Sequence, residues 1–192
     1  MTDLIFDTLT IGSSKEVLSK SILVNSIGPL ELGATLLENC RRIGHVKCTV
    51  VNISSGDGEL SYLHSDLQKK IKMVKNLREL KSLARSLAIF YDQGVEYAFG
   101  PTPMYSVSKA LLNKGTYLLQ QDVQYDHQRS RILAICPGNF KSTMSTESEL
   151  LDNCLSSGEA MTPIIEMLQR SPIDKDEGRY LHRYGERIFR ID

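Results

Sequence analysis

Tryptophan is absent from this chain of 192 residues, and so is net charge, with 23 Lys and Arg against 23 Asp and Glu. The missing Trp decides nothing. The missing charge excludes a general attraction to nucleic acid or to anionic membrane, because no overall field would draw either. No basic region followed by an apolar stretch opens the chain, so no signal peptide is visible. No apolar run is long enough to span a bilayer. Cysteines are few: Cys40, Cys48, Cys136 and Cys154. None forms a C-x-x-C pair and no His stands at metal spacing from them, so no metal site is expected. Cys48 and Cys136 sit in apolar runs and read as small core residues. A reducing, cytoplasmic setting fits. Asn52-Ile53-Ser54 matches a glycosylation pattern but falls in a buried-looking strand. The composition that remains is ordinary for one globular domain with a real core.

The first twelve residues show no clear period. Ser13-Ser14-Lys15-Glu16 is a capping-box signature, and a long helix to about Arg42 should follow. Leu18, Ile22, Leu32 and Leu36 form its expected apolar stripe, which Asn25 and Pro29 interrupt. Val46 to Ile53 is apolar and β-branched, as suits a strand buried on both faces of a parallel sheet. Ser54-Ser55-Gly56-Asp57-Gly58 is a turn cluster. Tyr62 to Tyr91 reads as one amphipathic helix with Leu67, Ile71, Val74, Leu77, Leu80 and Leu87 on its apolar side. Its basic side, Lys69 to Arg85, is expected to be a solvated outer face rather than a membrane or nucleic-acid contact. Gly100-Pro101-Thr102-Pro103 should stop any helix before Tyr105. A helix then runs to about Asp126, a buried strand over Arg131 to Cys136, and a helix over Ser157 to Gln169. A last strand is expected near Arg179 to Leu181 or Arg187 to Ile191. This alternation predicts an α/β domain.

Tyr105 and Lys109 stand four residues apart, on one face of a helix. A nearby ammonium favours the ionised phenol and so predicts a lowered tyrosine pKa. Such a tyrosine can give a proton to a carbonyl oxygen or take one from an alcohol. In open α/β sheets ligands bind beyond the carboxyl ends of the strands. Ser54-Ser55 and the Pro137-Gly138 turn lie at two such ends, and Tyr105 opens the intervening helix. Pro29 independently marks Asn25, because an α-helix would satisfy the Asn25 carbonyl with the N–H that proline lacks.

Taken together, these residues resemble the short-chain dehydrogenase/reductase family. The matches are Asn25-Ser26-Ile27-Gly28-Pro29, Val50 to Gly56, Tyr105-x-x-x-Lys109 and Cys136 to Met144, and they span essentially the whole chain. The resemblance implies a Rossmann-like, doubly wound parallel sheet in a single partial domain over 1–192. It makes Ser55 the serine that polarises the carbonyl, with Ser54 only its neighbour. Tyr105 matches the general acid/base, and Lys109 the lysine that tunes it and binds the nicotinamide ribose. Asn25 matches the asparagine whose main-chain carbonyl holds a relay water. Pro137, Gly138, Phe140 and Ser142 match the segment that packs on the nicotinamide. The long gap between Ser55 and Tyr105, with a helical insertion over 58–104, resembles the carbonyl reductase subgroup. That implies a monomer using NADPH on ketones, aldehydes or quinones.

The family's Gly-rich pyrophosphate turn does not occur in these residues, nor does its Asn-Asn-Ala-Gly segment. The expectation is a sheet truncated at the N-terminus, with the first four strands missing. NADPH binding should then be weak or absent, and Val46 to Ile53 should form an exposed edge. The competing expectation is a non-catalytic short form that uses this edge to pair with a partner or with itself.

Overall fold

The computed structural model describes residues 20–44, 48–91, 98–99, 102–124, 130–142, 154–169, 180–182 and 185–186. The capping box at Ser13 to Glu16, the strand alternative at Arg187 to Ile191 and the ends at Val46 and Asp126 lie outside them.

The first helix is interrupted where Pro29 predicts. Leu23–Ile27 is π-helical, and the Gly28 N–H bonds to the Leu23 carbonyl, five residues back. The α-helix α1 continues over Gly28–Ile43, with Pro29 in its first turn, where a missing N–H costs least. The π-turn absorbs one extra residue and so rotates everything before it relative to α1. The buried face is Ile22, Ser26, Leu30, Gly33 and Leu37. Leu32 and Leu36, expected in the core, are 62% and 42% exposed. Of the stripe read from the sequence, Ile22 is buried and Leu18 lies outside the described residues, while Leu32 and Leu36 fall on the wrong face.

Strand β1 is Thr49–Ile53, shorter than expected. It is not buried on both faces: Asn52 is buried, but Ile53 is 49% exposed. Short 3-10 turns follow at Gly56–Gly58 and Leu60–Tyr62. The expected single helix over Tyr62 to Tyr91 is two helices, α2 (Ser65–Met73) and α3 (Leu77–Tyr91). Asn76 makes the break. Its Oδ1 accepts from the Glu79 N–H, and its Nδ2 donates to the Glu79 carboxylate, which also accepts from the Lys75 N–H. This reciprocal cap starts a new helix inside an unbroken apolar pattern. The apolar side is as expected, with Leu67, Ile71, Val74, Leu80 and Leu87 buried. On the basic side Lys69, Lys70, Arg78 and Arg85 are exposed, while Lys81 pairs with Glu31 of α1.

Helix α4 is Pro103–Gln124. It starts before Tyr105, because Pro103 initiates it instead of blocking it, as proline does at a first helical position. Its face toward the sheet is partly polar. Asn52 Nδ2 donates to Thr116 Oγ1 at 2.9 Å, and the Ile132 N–H donates to Gln120 Oε1 at 2.7 Å. Lys114 is 2% exposed, and its ammonium donates to the Lys72 carbonyl in the last turn of α2. A buried cation thus rests on a helix C-terminus, where the partial charge is negative.

Strand β2 (Arg131–Cys136) and helix α5 (Ser157–Gln169) keep their expected bounds. Ser156 and Glu159 cap α5 reciprocally. The strand expected near Arg179 to Leu181 is β3 (Tyr180–His182), and a further short strand, β4 (Gly185–Glu186), follows it. The sheet order is β1-β2-β3-β4. The first two pairs are parallel and the last is antiparallel, so the sheet is not wholly parallel. The two-residue period of β2 divides the core. Ile132, Ala134 and Cys136 pack with α1 to α4, while Leu133 and Ile135 pack with Ile164 of α5. Helices therefore cover both faces, as a doubly wound sheet requires.

Candidate active site

The parallel register of β1 and β2 sets Ile53 opposite Ile135. Ser54 continues the ladder, its N–H donating to the Ile135 carbonyl at 2.7 Å. Both strands therefore end at one rim, with Ser55 just beyond β1 and Cys136 closing β2. The N-terminal turns of α4 lie against that rim because Gly58 allows close approach. A Cβ on Gly58 would stand 2.8 Å from the Lys109 carbonyl carbon and 2.9 Å from Asn113 Nδ2.

At this rim the Ser55 side chain lies near enough to the Tyr105 hydroxyl to favour its ionised form. The Lys109 ammonium lies 5.5 Å from the centre of the Tyr105 ring and donates to the Ile53 carbonyl at 3.0 Å. Ser55, Tyr105 and Lys109 are thus brought together from two elements. Asn25 reaches them indirectly. Its Nδ2 donates to Ser108 Oγ at 3.3 Å, and that hydroxyl donates to the Tyr105 carbonyl. The contact made by Asn25 is through its side chain, not its main-chain carbonyl. Pro137 is buried at the end of β2, and Gly138 takes φ 74°, a conformation that favours glycine. The Gly138 N–H donates to the Cys136 sulfur. Phe140 pairs with Leu155, and Ser142 is exposed.

The electrostatics differ from expectation. Burial pushes the Tyr105 phenol above its ordinary pKa, and the charges of Asp57 and Cys136 push the same way, with Ser55 opposing them. Burial also lowers the Lys109 ammonium, against an opposing effect of Cys136. What opposes burial at the phenol is Ser55 and not Lys109, whose ammonium donates to the Ile53 carbonyl and lies by the ring face. The consequence has a definite sign. A phenol raised above its unfolded value stays protonated, and so ready to act as an acid, throughout neutral pH. Its contribution to folding is present below the unfolded pKa and is lost as pH rises through the raised one.

Sequence reasoning missed Asp57. It is half-buried, with its N–H donating to Ser55 Oγ at 3.3 Å, and burial raises its own carboxyl. The available signal was its place two residues after Ser55 in the same tight turn. Replacing Asp57 by Asn removes a charge that disfavours the phenolate and should lower the ionisation midpoint of Tyr105. An alkaline NMR titration of the tyrosines reads this, and an unmoved Tyr105 midpoint would show that Asp57 does not act on it.

A groove of about 590 Å³ lies between α1 and β1. Asn25, Pro29, Asn52, Ile53 and Lys109 line it, but Ser55 and Tyr105 do not. It adjoins the rim at Asn25, Ile53 and Lys109, and the polar chemistry lies at the rim itself. Among the described residues no cluster of His, Cys, Asp or Glu could hold a metal. No helix among them is long and apolar enough to cross a membrane.

No family model matches the chain. An uncharacterized protein of Dictyostelium discoideum is 31% identical over 81 residues, which is 42% of this chain and 44% of that protein. The structure of salutaridine reductase from Papaver somniferum superposes with a TM-score of 0.68 at 17% identity, covering 88% of this chain and 56% of that one. The chain therefore spans about half the length of each protein it matches. At this identity the likeness shows the fold alone: the chain has an α/β architecture like that of salutaridine reductase.

Proposed function

We propose that this rim reduces carbonyl compounds (ketones, aldehydes or quinones) with NADPH, as a short-chain dehydrogenase/reductase of the carbonyl reductase type. The convergence of Ser55, Tyr105 and Lys109 at the end of β1, with the Lys109 ammonium on the Ile53 carbonyl and 5.5 Å from the centre of the Tyr105 ring, is the observation that carries this reading. A shared reductase fold supports it.

The rim suits the nicotinamide end of the cofactor. Gly138 presents bare backbone at φ 74°, and the Lys109 ammonium is a donor within reach of a ribose hydroxyl at the end of β1. Pro137, Gly138, Phe140 and Ser142 would flank the ring, with Tyr105 and Lys109 on the ribose. When bound, NADPH supplies a hydride to the carbonyl carbon. Ser55 donates a hydrogen bond to the substrate oxygen and orients it. Tyr105 gives that oxygen its phenolic proton as the alcohol forms. Lys109 stabilises the phenolate left behind, and Asn25 steadies the helix turn that carries Tyr105 through Ser108. The sequence carries no Gly-rich pyrophosphate motif, so affinity for NADPH should be weak.

The test follows NADPH absorbance with simple ketones and quinones at millimolar cofactor, beside a fluorescence titration. Substrate-dependent oxidation without a micromolar cofactor site is expected. No oxidation with any carbonyl compound would sink the reductase reading. One further observation favours an interaction role instead. Among the described residues β1 pairs only with β2, and Val24, Leu32 and Ile53 beside its open side are 61%, 62% and 49% exposed. Light scattering after size exclusion separates the two, since a clean monomer disfavours pairing through this edge.

A further inference from the structure

Asn113 lies about two helical turns beyond Tyr105 and one beyond Lys109, on the same face of α4. It is 2% exposed, with Ser54 4% exposed beside it. The Ser54 hydroxyl donates to Asn113 Oδ1 at 2.5 Å, and Asn113 Nδ2 donates to the Gly58 carbonyl at 3.2 Å. The orientation of the amide follows from chemistry. A carbonyl can only accept, so Nδ2 must face Gly58, which leaves Oδ1 for the hydroxyl. One buried side chain therefore ties down both ends of the segment 54–58, and Ser55 lies between those ends.

Neither end has a substitute partner in reach of water. Ser54 is already anchored to β2 through its N–H, and Gly58 is pressed against the Lys109 backbone. Buried polar groups that lose a partner are costly to leave unpaired, so the segment cannot slide along α4. Among the described residues the Ser55 side chain has one hydrogen bond, accepted from the Asp57 N–H, and it lies beside the Tyr105 hydroxyl. Its position is set by its neighbours.

We propose that Ser54 and Asn113 are positioning residues of the proton-transfer site, whose buried hydrogen bonds, closed on the Gly58 carbonyl, hold the Ser55 hydroxyl against Tyr105. Ser54 is then not a spare catalyst beside Ser55. It is the anchor that lets Ser55 act. The inference rests on reading Ser55 and Tyr105 as the reacting pair, but it can be tested without turnover.

The test reads the phenol. With tyrosines carrying carbon-13 at Cζ, Tyr105→Phe identifies the Tyr105 resonance, and Ser55→Ala shows its displacement on losing the Ser55 hydroxyl. At neutral pH, Ser54→Ala and Asn113→Leu should displace it in the same direction by most of that amount. Ser54→Cys, which keeps the volume but weakens the donor, should displace it less. Ser54→Thr, which keeps the hydroxyl, should leave it in place. Ser54→Ala added to Ser55→Ala should give no further displacement, because no hydroxyl remains to be held. An unmoved resonance in folded Ser54→Ala or Ser54→Cys overturns the proposal, and so does a further displacement in the Ser55→Ala background. Displaced resonances in a chain that reduces no carbonyl compound would leave this inference standing and sink the reductase reading alone.

Discussion

Replacing Tyr105 by Phe should lower carbonyl reduction by about 10²–10⁴-fold, the usual worth of a positioned general acid. The substitution removes one oxygen atom and leaves the ring. Helix α4 is held by Val107, Leu111 and Leu112, all at most 1% exposed, and by polar bonds further along, none of which involves the phenol. The thermal midpoint should therefore stay close to that of the parent chain. Cofactor affinity should also change little, since the ring remains. A Tyr105→Phe variant that keeps parental turnover would remove Tyr105 from the chemistry. The pH profile adds a second check. Because burial raises the phenol, reduction by the parent chain should be level through neutral pH and decline only as the raised pKa is passed. A decline beginning near pH 7 would instead indicate an acid with a lowered pKa.

The largest stability effect should separate two leucines two residues apart. Leu30→Ala should cost about 2–5 kcal/mol, as truncation of a fully buried leucine does. Leu32→Ala should cost less than about 0.5 kcal/mol, as expected for an exposed site. Leu30 is 1% exposed and fills the notch left by Gly115 on α4, where a Cβ would also stand 2.8 Å from Leu80. Leu32 is 62% exposed on the groove side of the helix. Urea unfolding of both variants is the measurement. Equal losses would mean that the face assigned to α1 is wrong.

The two leucines show where sequence reading stops. The stripe Leu18, Ile22, Leu32 and Leu36 assumes a constant helical period. The π-turn at Leu23–Ile27 breaks that period, and Leu30, Gly33 and Leu37 turn inward instead. Pro29 announced an interruption but not its size. Asn76 is a similar case. Its spacing to Glu79 was visible, but apolar residues continue on both sides, and only the cap bonds divide α2 from α3. Where a strand or helix is bounded by punctuation, as at Arg131–Cys136 and Ser157–Gln169, its limits were legible.

For the site, residue types and helical spacing are properties of the chain alone. A phenol, an ammonium and an amide at Tyr105, Lys109 and Asn113 share a face of any α-helix that contains them. Sequence also determined that two strands end in polar turns, because apolar runs stop there. Distance across the fold is another matter. That Ser55 and Asp57 come near enough to Tyr105 to act on its phenol, and that Asn113 closes on Ser54 and Gly58, depend on the parallel register of β1 with β2 and on the close approach at Gly58. The direction of the Tyr105 shift depends on them too. A nearby lysine predicts a lowered pKa by charge alone, but desolvation exists only once the core is assembled, and here it is the largest influence on the phenol and raises it.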